Sequence, residues 1–412
     1  MPDESLARRT TLICGLVVVL EGYDLSALGY VVPQLVESWN VPPVAFTPAL
    51  TASNIGMFFG AVVCGWFGDR YGRKPVLLGC IAAFGVATLA TSIVTNPDQL
   101  TLARFVTGLG LGGGIPVCIA LVSDVSPPRR QGTLVITMIT GVVVGNLTAG
   151  LVAARMLSAF GWESVFVVGG VAPLLLLPLV ALFLSDSSEV QAIRSGAATG
   201  ATETTGNRVT ALFTAGMSRS TMLLWAINFL NLLTIYFVNS WLPSILRSMG
   251  ATAQSAILAT SMFHVGAIVA AFLSASLVGR YGIERVLTFM LLFGGVCIMV
   301  TGVATLSVLS LSVFILGFGF GTNGSQLGIS ALPGAMYPTV IRSTGAGWAT
   351  GVGRLGNVAG ALLGGALLGL GWSSQAMLLA LCVAPLMNAA LMLALGRARA
   401  ASRVPLATKV SL

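Results

Sequence analysis

The chain has 412 residues, 56% of them hydrophobic and only 8% charged, where a soluble domain carries about a quarter charged residues. This excludes a soluble globular enzyme and describes a protein that crosses a membrane many times. The formal charge of +8 would suit nucleic acid, but the basic residues sit in short loops between apolar segments, so they report membrane topology and no nucleic-acid partner is expected.

The N-terminus mixes acids with Arg8 and Arg9 and has no small-residue cleavage site, which predicts a retained first span and not a removed signal. Apolar segments long enough to cross a bilayer, about 20 residues each, recur at 10–33, 47–67, 75–95, 99–123, 132–155 and 163–185. A polar stretch rich in Ser, Thr, Gly and Ala follows at 186–218. Six further segments lie at 219–246, 253–278, 284–304, 307–336, 345–370 and 372–396. The expectation is an all-α membrane protein of twelve transmembrane helices: a six-helix bundle over 1–185, a linker over 186–218, a second bundle over 219–396 and a tail over 397–412.

The first span carries Leu20-Glu21-Gly22-Tyr23-Asp24 at its centre. Glu21 lies ~11 residues in, hence ~16 Å deep and near the midplane. An ionised carboxylate there costs at least a few kcal/mol, and burial favours its protonated form. Two such groups at i and i+3 share a helix face, which is the chemistry of a proton-binding site inside a membrane.

Basic residues set the orientation. With the N-terminus inside, all of the 21 Lys and Arg residues except Arg104, Arg155, Arg247 and Arg354 fall on the cytoplasmic side, so both termini are expected there. The six cysteines lie in apolar segments without CxxC spacing and read as small buried hydrophobes. No metal site is expected.

The two halves repeat. Arg70-Tyr71-Gly72 recurs as Arg280-Tyr281-Gly282, 210 residues on. Gly108-Leu-Gly-Leu-Gly112 recurs as Gly317-Phe-Gly-Phe-Gly321, Gly145-Asn146 as Gly356-Asn357, and Gly161-Trp162 as Gly371-Trp372, at nearly the same offset. Four ordered matches indicate duplicated six-span halves, the organisation of the major facilitator transporters.

The loop after the second span, Gly65-Trp-Phe-Gly-Asp69-Arg70-Tyr-Gly72-Arg73-Lys74, resembles the GxxxDRxGRK signature of that superfamily. In the second copy Gly279 replaces the Asp. Glu21-Gly22-Tyr23-Asp24 resembles the (D/E)G(F/Y/L)D element of its aromatic acid:proton symporters. So do Arg104 with Gly108, Gly110, Gly112 and Pro116, Trp241-Leu242-Pro243, and the stretch from Arg342-Ser-Thr-Gly345 to Gly353-Arg354-Leu-Gly356. The chain departs from the family after span four, where Asp124 and Arg129-Arg130-Gln131 replace a Glu and a spaced Arg. It departs again after span six, at Ser185-Asp186-Ser187.

The resemblance implies proton coupling at Asp24, with Glu21 beside it. Arg104 and Arg354, guanidinium groups that need an anion within the hydrocarbon, are expected to receive a substrate carboxylate. His264, the only histidine, Tyr23, Asn231, Asn323 and Gln326 are further candidate substrate contacts. Bland roles compete at each: an ion pair at Arg104, snorkelling at Arg354, core hydrogen bonding at His264 and helix bridging at the amides. Gly65, Asp69, Arg70, Gly72, Arg73, Lys74, Asp124, Arg129 and Arg342 are expected to gate the conformational change. The glycines from Gly108 to Gly114 follow no strand and are read as close helix packing, not a phosphate loop.

Together these imply a bacterial inner-membrane transporter that imports an aromatic carboxylate by proton symport with alternating access. It needs no cofactor beyond the proton gradient, and its partners are a small aromatic acid, protons and the lipid bilayer; a monomer is expected. A transporter of sugars, diacids or drugs, and a substrate sensor that no longer transports, are the alternatives. A membrane enzyme is disfavoured because no nucleophile–base set or cofactor motif is present.

Overall fold

A computed structural model describes residues 4–127, 130–184, 210, 212–213, 217–304, 307–337 and 339–402. Among these there is no strand. In chain order the helices are α1 (Glu4–Trp39), a 3-10 turn (Pro43–Phe46), α2 (Thr47–Tyr71), α3 (Arg73–Thr91), α4 (Pro97–Val125), α5 (Gln131–Ile139), α6 (Gly141–Phe160) and α7 (Glu163–Phe183). Then come α8 (Ser218–Ser248), α9 (Ala253–Tyr281), α10 (Ile283–Val303), α11 (Val308–Gly321), α12 (Asn323–Met336), α13 (Thr339–Gly369) and α14 (Ser374–Ser402).

Local chemistry explains the boundaries. Asn40, at φ 51°, ends α1 in the left-handed conformation that Asn tolerates. The Asn96 side chain accepts the Gln99 N–H at 2.9 Å and Pro97 follows it, an N-cap and first-turn proline that start α4. Gly72 and Gly282, at φ 101° and 85°, turn the chain between consecutive helices at equivalent places in the two halves. Any side chain would be strained in that region of φ.

Among the described residues, eleven helical segments are long and apolar enough to span a membrane, α5 and α6 counting as one. The expected tenth span is the exception: it is two 14-residue helices, α11 and α12, parted at Thr322. The glycines at 317, 319, 321 and 324 weaken helix propensity there. The Thr322 carbonyl instead accepts the Asn231 side-chain amide at 3.2 Å.

The chain forms two compact units. The first holds Met1–Ala201, Phe237–His264 and Ala361–Ser374; the second holds Thr202–Tyr236, Val265–Gly360 and Gln375–Leu412. Val17, Leu77, Ile81, Phe84 and Leu121 build the first core; Leu224, Ile227, Leu287, Met290 and Leu332 build the second. In lipid such packing replaces a hydrophobic drive between helices, and small residues let backbones approach. Five cysteines are buried; Cys64 is half-buried, its sulfur 3.4 Å from that of Cys80.

Candidate functional site

Four consecutive residues at the middle of α1 meet four neighbouring helices, because each step turns the side chain by about 100°. Glu21, 1% exposed, presses its carboxylate on Gly114 of α4: a Cβ there would lie 1.5 Å from Oε1. Gly22 meets the backbone of α6, where an added Cβ would stand 2.2 Å from the Val142 carbonyl oxygen. Tyr23 donates its hydroxyl to the Val165 carbonyl of α7 at 2.8 Å. Asp24 turns to α3 and α4. Gly22→Ala is therefore expected to push α1 and α6 apart and cost about 1–3 kcal/mol, read as a lower unfolding temperature in detergent.

Asp24, 0% exposed, forms the central ion pair with Arg104, 1% exposed. Arg104 Nη1 lies 2.5 Å from Asp24 Oδ1 and hydrogen-bonds Oδ2 at 3.2 Å. Nη2 donates to the Asp24 backbone oxygen at 3.3 Å and Nε to the Ser53 hydroxyl at 3.1 Å. Thr88 donates to Asp24 Oδ2 at 2.7 Å, and the Phe166 ring lies 5.9 Å from the guanidinium carbon. The charges are neutralised inside the first unit and most of their hydrogen-bonding capacity is filled, which is how a buried pair persists. Glu21 and Asp24 both address α4, as their spacing requires, but through different partners. The Tyr23 ring packs against Gly169, where a Cβ would stand 2.9 Å from Cε1, so Tyr23 is held between helices.

His264 is fully buried near the middle of α9, also in the first unit, with its ring edge-on to Phe263 at 5.5 Å. In the second unit the amides gather. Asn231 donates to Gln326 Oε1 at 2.8 Å, and Gln326 donates to Asn228 Oδ1 at 3.1 Å. Asn228 in turn donates to the Ala349 carbonyl of α13 at 2.7 Å. Asn323, buried, is the first residue of α12 beside the Thr322 break. Arg354 is half-buried on α13. Its neighbours Gly353 and Gly356 allow α13 to lie directly on α8 at Asn228, Phe229 and Leu232.

At the α2–α3 turn, Arg70 lies over the Trp66 and Tyr71 rings at 5.5 and 5.7 Å. Arg73, next to Gly72 and Lys74, pairs with Asp124 near the end of α4. A second pair, Arg399 with Glu284, ties α14 to α10. Gly65 lies within α2. Arg129, most of the linker 186–218, the tail beyond 402, and the side chains of Asp69 and Arg342 lie outside the described residues.

Three contributors escaped the sequence reading. Thr88 and Ser53 complete the coordination of Asp24 and Arg104, and Trp348 stacks on Trp225 with centroids 5.6 Å apart. The only hint for Ser53 was its polar neighbour Asn54 in an apolar span.

The profile of the Major Facilitator Superfamily matches residues 14–226 and 224–410. The 4-hydroxybenzoate transporter of Pseudomonas putida is 34% identical over 399 residues, covering 91% of this chain and 89% of its own. The gallate transporter of the same species is 33% identical, over 87% and 85%. The 3-(3-hydroxy-phenyl)propionate transporter of Escherichia coli is 33% identical, over 90% of each. The crystal structure of a D-xylose-proton symporter shares the fold, with TM-score 0.74 and 17% identity over 93% of this chain and 96% of that one. These relatives are transporters, not enzymes, and the apolar helices make this a multi-pass membrane protein. The chain belongs to the major facilitator superfamily, within its aromatic-acid transporter branch.

Proposed function

We propose that the protein imports a single-ring aromatic carboxylate together with protons across a bacterial inner membrane, both termini facing the cytoplasm. The observation that carries this reading is the buried Asp24–Arg104 pair, in a chain whose relatives carry hydroxylated aromatic acids by name. A proton arriving from the periplasm neutralises Asp24 and leaves Arg104 a buried cation. Leaving one partner of such a pair uncompensated is costly, and a planar carboxylate fits the two-pronged guanidinium well. The substrate anion therefore takes the place Asp24 gives up. On the cytoplasmic side, loss of the proton returns the carboxylate to Arg104 and expels the substrate.

Coupling follows from charge. Proton without anion leaves a bare buried cation, and anion without proton sets two carboxylates against one guanidinium; each half-loaded state is disfavoured. Access then alternates only for the empty or the doubly loaded carrier. Glu21, on the same side of α1, is proposed as the second proton-carrying group. Arg354, Asn231, Asn323 and Gln326 are proposed as substrate contacts of the second unit, His264 as one of the first, and the Arg73–Asp124 pair as part of the gate.

The test is uptake of labelled 4-hydroxybenzoate and benzoate by cells expressing the chain, with and without an uncoupler. Accumulation that collapses on uncoupling is expected. Accumulation indifferent to the uncoupler contradicts proton coupling, and uptake of sugars in place of aromatic acids contradicts the substrate class.

A further inference from the structure

At the end of the first unit opposite the α2–α3 turn lies a cavity of about 120 Å³, enclosed by α1, α6, α8 and α9. This is close to the ~150 Å³ apolar cavities known to hold a benzene ring. Its walls are mostly apolar, with Leu157 and Pro243 among them, but polar groups line it too, Tyr30, Gln34, Glu37, Ser158, Arg247 and Gln254. Arg247, half-buried, is one of the few basic residues away from the expected cytoplasmic side, and its Nη2 is held by the exposed carboxylate of Glu37. Gln34 spends its amide hydrogen on the Leu157 carbonyl at 3.2 Å. Its Oε1 is buried with no hydrogen-bond partner among the described residues. A buried acceptor left unsatisfied is costly, so it marks a place for a donor that arrives with a ligand.

Resting on the transport function proposed above, we propose that this cavity is an outer waiting site for the hydroxylated aromatic acid, in which the substrate carboxylate displaces Glu37 from Arg247. The ring then lies against Leu157 and Pro243, and a ring hydroxyl donates to Gln34 Oε1. Glu37 and the substrate compete for one guanidinium, so Glu37 keeps the cavity shut to neutral aromatics and opens it to an anion. The exchange moves no covalent bond. It swaps one carboxylate–guanidinium pair for another, and the partly exposed pair it breaks is cheap to break.

Two substitutions separate a binding site from a plain latch. A latch alone makes Glu37→Gln and Arg247→Gln equivalent, since each breaks the same ion pair. A waiting site makes them opposite: Glu37→Gln removes the competitor and lowers the KM for labelled 4-hydroxybenzoate, whereas Arg247→Gln removes the anchor. The anchor's loss raises KM by about tenfold or more, the scale of one charge-assisted hydrogen bond. Initial rates of uptake by cells expressing the unaltered chain and each variant read this directly. KM shifts in the same direction, or none, alongside normal uptake by the unaltered chain overturn the waiting site alone. Absence of aromatic-acid uptake by the unaltered chain overturns the transport reading and this inference with it.

Discussion

Asp24→Asn is expected to abolish uphill accumulation of the aromatic acid while leaving downhill exchange intact. Asparagine keeps the size of the side chain and still meets Thr88, but it carries no charge and cannot take or give a proton at this site. Arg104 then lacks its resident carboxylate at every stage of the cycle. The substrate anion becomes its only strong counter-charge, so binding is retained or tightened and release is slowed. Cells or vesicles carrying the variant should exchange labelled for unlabelled 4-hydroxybenzoate in counterflow, yet fail to concentrate it above the external level. Full accumulation by Asp24→Asn would remove Asp24 from the coupling step.

Arg104→Gln should be strongly damaging to the first unit. It leaves Asp24 a fully buried carboxylate supported by Thr88 alone among its side-chain partners in the pair. Removing one member of a buried ion pair costs about 3–5 kcal/mol, which is a large share of the stability of an ordinary domain. Transport should fall below detection, and thermal unfolding in detergent should come earlier. Arg104→Lys should rescue poorly. A lysine supplies a point charge but not the fork that reaches Asp24 Oδ2, the Asp24 backbone oxygen and Ser53 at once. Combining Arg104→Gln with Asp24→Asn should restore most of the lost stability, because no uncompensated charge remains, but no transport. A double variant as unstable as Arg104→Gln would mean that packing at Arg104, and not its charge, carries the effect.

The sequence disclosed the parts of this site whose cost in a membrane is high. Charged side chains deep in apolar spans must be compensated, so Asp24, Glu21, Arg104 and Arg354 stood out, and so did the need of Arg104 for an anion. The Gly108–Gly114 run was legible as close packing, and Gly114 does receive the Glu21 carboxylate. The offset repeat announced the duplicated turns at Gly72 and Gly282. Uncharged partners were harder to see. A threonine in a helix usually bonds the carbonyl four residues back, as Thr91 does with Ala87, so nothing distinguished Thr88 beforehand. The break at Thr322 was hidden by its apolar flanks, because hydropathy measures transfer into lipid and not helix continuity. Only the cluster of glycines before Asn323 carried that signal. Tyr23 read as a ligand contact, and nothing beforehand showed that its hydroxyl donates to Val165 or that its ring packs at Gly169.

In the proposed mechanism one proton on Asp24 travels together with one carboxylate on Arg104. The most direct measurement is the pH of a weakly buffered medium around vesicles holding the purified protein, with 4-hydroxybenzoate added outside. With the unaltered chain the medium is expected to turn alkaline as the acid enters. No such change is expected with Asp24→Asn, although that variant still exchanges the labelled acid. Alkalinisation by Asp24→Asn equal to that of the unaltered chain would contradict this mechanism.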